Sequence, residues 1–255
     1  MSGEKTIFLT FNKTLAKAAK TLIQELIGEL PPYLEVSNID AWIMRFIRAR
    51  RHQVTLINSQ EQRDVFLSVL KSVQLYQRSY VHDFPWTFFR DEIARVIKGN
   101  GITKEDDYLA IPRYGRKTAL KRKARSATWA IYEAYQQKLN ENKWIDWQDL
   151  SLIAYKELFK SSLDEPYKYV IVDESQDLTS IQVRIAQRLM KGKLTANTSI
   201  FMVGDYSQTL YSRGFSWKQA GLQVQGRSFS LKRNFRNTRQ IAETSAALNA
   251  YNQHV

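Results

Sequence analysis

The chain has 255 residues, enough to bury a sizeable core as one large domain or two small ones. Its 44% hydrophobic and 25% charged content is that of a soluble globular protein, and the absence of Cys excludes disulfides, thiolate zinc sites and thiol nucleophiles, which fits a cytoplasmic setting. A formal charge of +13 with 12% aromatic residues favours nucleic acid over a membrane surface as partner, and no stretch has the apolar length of a membrane span or the pattern of a signal peptide.

In chain order, Ile7 to Thr10 reads as a short strand. Asn12 or Thr14 then caps a helix whose apolar face is Leu15, Ala19, Leu22 and Leu26. The preceding Gly3-Glu4-Lys5-Thr6 imitates the tail of a phosphate-binding loop, but a strand follows it where such a loop needs a helix, so it is expected to be a decoy. After Pro31-Pro32, a short extended stretch near Leu34 to Val36 leads into the amphipathic segment Ile39 to Ile47. That segment ends in Arg48, Arg50 and Arg51, which suit either a helix C-terminus or phosphate contact.

From Ser59 to about Lys160 the pattern is helical. Ser59 with Gln62 is the expected capping box of the first helix, and Gly99 the stop of one carrying Phe88, Phe89, Ile93 and Val96. Thr103 with Asp106 reads as another capping box, of a short helix ended by Pro112. A long helix follows with Leu120, Ala124, Ala127, Ile131, Ala134 and Leu139 on one face, and Asp146 with Asp149 caps the last one. Arg113, Arg116, Lys117, Lys121, Arg122, Lys123 and Arg125 stand with no acid among them, ahead of Trp129, Tyr132 and Tyr135. Such a block suits a sugar-phosphate track, a solvated helix face being the plain alternative.

Strand and helix alternate again from Tyr169 to Val172, an apolar run that stops at Asp173-Glu174-Ser175-Gln176-Asp177. A buried parallel strand delivers such acids to its carboxyl end, where open α/β sheets hold ligands. There Asp173 would hold Mg²⁺ and Glu174 would position or deprotonate a water attacking a γ-phosphate; acids that merely cap a following helix are the plain alternative. Thr179 or Ser180 caps a helix with Ile181, Ile185 and Leu189, and Ser199 to Val203 forms a second strand whose polar end, Gly204 to Gln208, shares the same rim. The alternation from Arg227 to Leu231 predicts a further strand, followed by Asn234-Phe235-Arg236-Asn237-Thr238 and a last helix.

This order of motifs resembles that of the UvrD/Rep-type superfamily 1 DNA helicases. VIVDESQD is similar to the family's Walker B motif, VGDYSQTLYSRG to its glutamine-bearing sensor motif, and LKRNFRNTRQI to the arginine motif at the junction of its two motor domains. FLTFNKTLA resembles the segment that contacts single-stranded DNA, and the helical insertion, including WIDWQDL before the Walker B strand, falls where the family has one. The resemblance implies an α/β fold: a RecA-like parallel sheet flanked by helices, with an all-helical insertion subdomain. Residues 1–58 and 161–255 would belong to an incomplete motor domain and residues 59–160 to the insertion.

The activity implied is that of an ATP-dependent, 3′–5′ DNA helicase or translocase, a single-stranded-DNA-stimulated hydrolase with ATP and Mg²⁺ as cofactors. Its partners would be single-stranded DNA or a duplex-to-single-strand junction, the Walker A segment and the second motor domain. Residue by residue, the resemblance implies that Asp173 coordinates Mg²⁺, Glu174 activates water, Gln208 senses the γ-phosphate, Phe235 stacks on adenine and Arg236 reaches the γ-phosphate. Phe11, Asn12, Lys13, Tyr211 and Arg213 would meet the strand, with Lys121, Arg122 and Lys123 as further phosphate contacts.

The family's G-x-x-x-x-G-K-[ST] loop is absent from these 255 residues, as is the second motor domain. The chain alone is therefore expected neither to hydrolyse ATP efficiently nor to unwind DNA, and loss of the loop's strand should leave a distortion, a gap or a substituted strand in the sheet. A fragment of a full helicase is the preferred reading, with a non-catalytic nucleic-acid-binding or regulatory relative as the alternative; a Mg²⁺-dependent nuclease on Asp173 and Glu174 lacks further acids. Ser212 stands where many relatives have an aromatic, and an aromatic next appears at Phe215, which leaves open which ring stacks on a base.

Overall fold

The computed structural model of the protein describes residues 3–73, 80–113, 118–190, 200–205 and 215–231, together with 238, 240, 241, 243, 244 and 247. The chain opens with β1 (Thr6–Thr10), α1 (Lys13–Ile27), β2 (Leu34–Asn38) and α2 (Ile39–Ala49). A two-residue β3 (Thr55–Leu56) precedes α3 (Ser59–Ser72), a 3-10 turn (Tyr80–Asp83) and α4 (Trp86–Glu92), which runs straight into a π-helix (Ile93–Lys98). Next come α5 (Glu105–Ala110), α6 (Arg122–Glu141), β4 (Trp144–Ile145) and α7 (Trp147–Lys160). The described order closes with β5 (Tyr169–Val172), a 3-10 turn (Ser175–Asp177), α8 (Ser180–Arg188) and β6 (Ile200–Met202).

Four strands form a parallel sheet in the order β2, β1, β5, β6, while β3 and β4 pair separately. Helices flank the larger sheet, so the α/β architecture expected from the sequence is the one present. The Gly3 to Lys5 stretch leads directly into β1, as a decoy should. Parallel register sets Leu9 beside Val172 and Val172 beside Met202, which brings the carboxyl ends of β1, β5 and β6 level.

Alternation along the strands sorts the side chains. Ile7, Leu9, Val170 and Val172 are fully buried and share a core with Ile39, Ile43 and Ile47 of α2, Leu150 and Ala154 of α7, and Ile181 and Ile185 of α8. The opposite row is Val36, Phe8, Ile171 and Phe201, of which the first three are half-buried and Phe201 is 64% exposed. Among the described residues β6 pairs only with β5, so the expected interruption does not fall between the four strands; β6 ends the row.

A second core joins α3 through α6, built on Phe66, Phe89, Val96, Ile97, Tyr108, Ala127, Ile131 and Tyr135. The expectation groups α7 with these helices, but it buries Leu150, Ala154 and Leu158 with the sheet.

Several local expectations are corrected. Asn58, with Glu61, forms the capping box of α3, and Ser59 is already inside the helix. Lys104 stands at the N-cap of α5 without a side-chain cap, so Thr103 has no such role. Leu22 and Leu26 remain 57% and 82% exposed, and no residue of α1 is buried. Residues 227–231 form no strand, and Phe229 and Leu231 are almost fully exposed; alternation makes a strand only where a neighbour offers a hydrogen-bonding edge. By contrast Asp146 with Asp149, and Thr179 with Gln182, close the capping boxes of α7 and α8.

Candidate functional site

The Asp173 amide donates to Leu9 O at 2.8 Å, extending the β1–β5 pairing by one residue. Phe11 to Lys13 and Asp173–Glu174 therefore leave the sheet on the same rim. Glu174 then adopts a left-handed backbone, φ 52° and ψ 40°, which costs a residue with a Cβ about 1–3 kcal/mol and turns the chain at once into Ser175–Asp177. Its amide donates to Asp173 Oδ1 at 2.9 Å, and the Gln176 side-chain amide donates to Glu174 Oε2. Ser175 N donates to Val203 O at 2.9 Å, tying this turn to the end of β6.

Behind the two carboxylates lie buried polar atoms without a hydrogen-bond partner: Ser175 Oγ, Gln176 Oε1, Asp177 Oδ1 and Ser180 Oγ. Native interiors leave few such atoms, and together with the left-handed Glu174 they mark a place built for something other than stability. Burial and the nearby Glu174 push the Asp177 carboxyl above the usual range, against the pull of Arg95.

The donor set fits Mg²⁺ held in the manner of phosphate-transfer sites. No group of three His, Cys, Asp or Glu residues that could hold a metal occurs among the described residues. Asp173 keeps one carboxylate oxygen beyond the one that its neighbour's amide occupies. A single carboxylate beside water and phosphate oxygens is what Mg²⁺ commonly takes. Ser175, Gln176 and Asp177 completed this site without being singled out as members, although they lie in the same VIVDESQD string.

Of the residues expected to meet DNA, Phe11 packs partly buried against the sheet core, Asn12 Oδ1 accepts from Leu15 N at 2.8 Å as the cap of α1, and Lys13 is exposed. Burial pushes the Asp40 carboxyl up against the opposing effects of the Gln182 amide and Lys13. Lys121, Arg122 and Lys123 are exposed at the start of α6.

Arg113 and Arg125 of that basic block brace the fold instead. Arg113 pairs with buried Glu92 through Nε at 2.6 Å and Nη2 at 2.8 Å, and Tyr108 donates to the same carboxylate at 3.0 Å. Arg125 donates to the carbonyls of Tyr108, Leu109 and Ile111 at the end of α5. Trp129 and Tyr135 are core residues, which removes them as stacking rings. Arg50 donates to Ser161 Oγ and Ser162 O while lying over the Phe46 ring, a bracing role.

Phe215 is buried against the sheet core beside Trp217 and is not a stacking ring either. Gln208, Tyr211, Arg213, Phe235 and Arg236, with Arg116 and Lys117 of the basic block, lie outside the described residues.

Residues 1–224 match the family model of the UvrD/REP helicase N-terminal domain. The ATP-dependent DNA helicase PcrA of Staphylococcus epidermidis is 24% identical over 275 aligned residues, covering 99% of this chain and 34% of the relative. PcrA of Staphylococcus aureus is 22% identical with the same coverage. A probable DNA helicase II homolog of Mycoplasma capricolum is 32% identical over 143 residues, 49% of this chain and 18% of the relative. The chain thus spans about a third of the length of the PcrA proteins it matches.

Proposed function

The chain belongs to the UvrD/REP helicase family, and on that premise we propose that it is part of the first motor domain of an ATP-dependent DNA helicase moving 3′ to 5′ on single-stranded DNA. The observation that carries this reading is the left-handed Glu174 turn, with Asp173 before it and unpartnered buried polar atoms behind it.

In this reading Asp173 holds Mg²⁺, which when bound neutralises charge on the phosphate oxygens of ATP. Glu174 holds the attacking water and takes its proton, with the carboxylate aimed by the Gln176 amide. Gln208 senses the γ-phosphate, Phe235 stacks on the adenine and Arg236 offsets developing charge at the γ-phosphate. The phosphate cradle and the second motor domain come from polypeptide beyond these residues, and this chain alone turns over little ATP.

The nucleic-acid face is Phe11, Asn12 and Lys13, extended by Tyr211 and Arg213. Because the Asn12 side-chain oxygen is taken by α1, its amide nitrogen is the atom left to donate to the strand. Arg122 and Lys123 in the first turn of α6 oppose that helix's dipole, with no acid beside them in the turn, which supports phosphate contact by Lys121, Arg122 and Lys123. The helical insertion, residues 59–160 in the sequence reading, carries this second patch.

The test is ATP turnover with and without single-stranded DNA, by this chain and by the chain joined to its upstream nucleotide loop. Only the second should show DNA-stimulated hydrolysis. Motor-like turnover by this chain alone contradicts the proposed division of the site. DNA binding without turnover in both identifies a non-catalytic nucleic-acid-binding relative.

A further inference from the structure

We propose that Gln176 is a positioning residue that transmits the position of the β6 end to the Glu174 carboxylate. The inference rests on the functional reading above and adds to it a coupling inside the site.

Gln176 is 3% exposed and its amide is used unevenly. The Nε2 group donates to Glu174 Oε2, while Oε1 is buried without a partner. That bond is the one side-chain contact orienting the Glu174 carboxylate among the described residues, on a backbone already forced into the left-handed region. An apolar side chain of the same length would avoid burying an unpaired carbonyl. Stability alone does not account for a glutamine here.

The other side of Gln176 is Gly204. A Cβ at position 204 would lie 2.6 Å from Gln176 Oε1, 2.8 Å from Ser175 Oγ and 3.2 Å from Gln176 N. Gly204 is thus packed against the Gln176 amide and the Ser175 hydroxyl, and a methyl group there would have to displace those side-chain ends. Its neighbour Val203 is fastened on both sides: Val203 N donates to Val172 O at 2.8 Å, and Val203 O accepts from Ser175 N at 2.9 Å.

A displacement of the chain at Gly204 toward the Ser175–Gln176 turn therefore meets the Gln176 carbonyl together with the Ser175 hydroxyl, and the planar Gln176 amide carries it to Glu174. In sequence, Gly204 and Asp205 lead to Gln208, the proposed sensor of the γ-phosphate. Gln176 lies between that segment and the water-activating acid.

Two measurements test this. In this chain, the side-chain amide resonance of Gln176, assigned by its loss in Gln176→Met, should move in Glu174→Ala and in Gly204→Ala. In the loop-bearing polypeptide, Gln176→Met and Gly204→Ala should each lower kcat by roughly 10²-fold while leaving the KM for ATP unchanged. The thermal midpoint should be kept in Gln176→Met and lowered in Gly204→Ala, where neighbouring atoms must shift to admit the methyl group. The double variant Gln176→Met/Gly204→Ala should be no slower than Gln176→Met, because both act through one contact. Losses that multiply, or a changed KM with kcat intact, overturn the proposal. If the loop-bearing wild type turns over no ATP, the functional reading fails, and the resonances decide the relay: movement in both variants supports it, and an unmoved signal in either overturns it.

Discussion

Lys98 Nζ lies 2.7 Å from Asp146 Oδ2, and both side chains are buried. Asp149 takes the same ammonium at 2.8 Å, while Tyr135, itself bonded by Gln62, donates to Asp146 at 3.2 Å. One cation thus joins the π-helix to the capping box of α7 and, through Tyr135 and Gln62, to α6 and α3. Burial works against this charge, but the two carboxylates outweigh it and hold Lys98 above its usual range. On the lysine side this stabilisation is fully present below 10.5 and lost as pH rises through the raised value. On the acid side the pairing is lost as the carboxylates protonate, Asp149 holding its proton above 3.8 because of burial and the nearby Asp146. Lys98→Met leaves two buried carboxylates facing each other and should cost about 3–5 kcal/mol in chemical denaturation. A loss below about 1 kcal/mol contradicts this account.

Two parts of the basic block should respond oppositely. Arg113→Met strands buried Glu92 and should lower stability by a similar amount, about 3–5 kcal/mol, without changing the salt dependence of DNA binding. Neutralising Lys121, Arg122 and Lys123 together should leave the thermal midpoint within a few degrees and reduce the slope of log K against log salt by about 2 for single strands. An unchanged slope reduces the three to a solvated helix start.

Asp40 provides a pH signature. Its carboxyl is raised above 3.8 chiefly by burial, so the folded chain holds this proton more tightly than the unfolded one. Ionisation then removes stability as pH rises from 3.8 through the raised value, and none is lost below. Asp40→Asn keeps an acceptor for Gln182 Nε2 and should be increasingly more stable than wild type across that window, with a constant margin above it. A margin independent of pH rules this out.

The exposed faces of α1 and β6 should make the isolated chain self-associate. Leu22, Leu26, Ile27 and Phe201 are between 57% and 82% exposed, and exposed apolar side chains of this size favour association. Light scattering at rising concentration should show association that Leu22→Gln/Leu26→Gln weakens with little change in stability. A wild-type chain that stays monomeric throughout contradicts this expectation.

What the sequence makes legible is local. The apolar run ending in Asp173–Glu174, the Asp146 and Thr179 caps, and the strand preceding Asn12 all follow from neighbours within a few residues. What it hides depends on distant partners. Arg113 looks unopposed until the fold brings Glu92 to it, Tyr135 looks like a stacking ring until Phe66 covers it at 4.2 Å, and residues 227–231 alternate like a strand without a described neighbour to pair with. At the site, the acids are readable from their place at a strand end. The wedge of Gln176 between Glu174 and Gly204 is not, because it arises only when β5 and β6 lie side by side.

The most direct test of the motor reading is Glu174→Gln in the loop-bearing polypeptide, measured as ATP turnover beside ATP binding. The account predicts that turnover falls to background, at least 10²-fold, with ATP affinity retained, because the amide keeps the shape of the side chain and cannot take the proton of the attacking water. Near-normal hydrolysis by Glu174→Gln would remove this carboxylate from the chemistry and contradict the assignment on which the site is built.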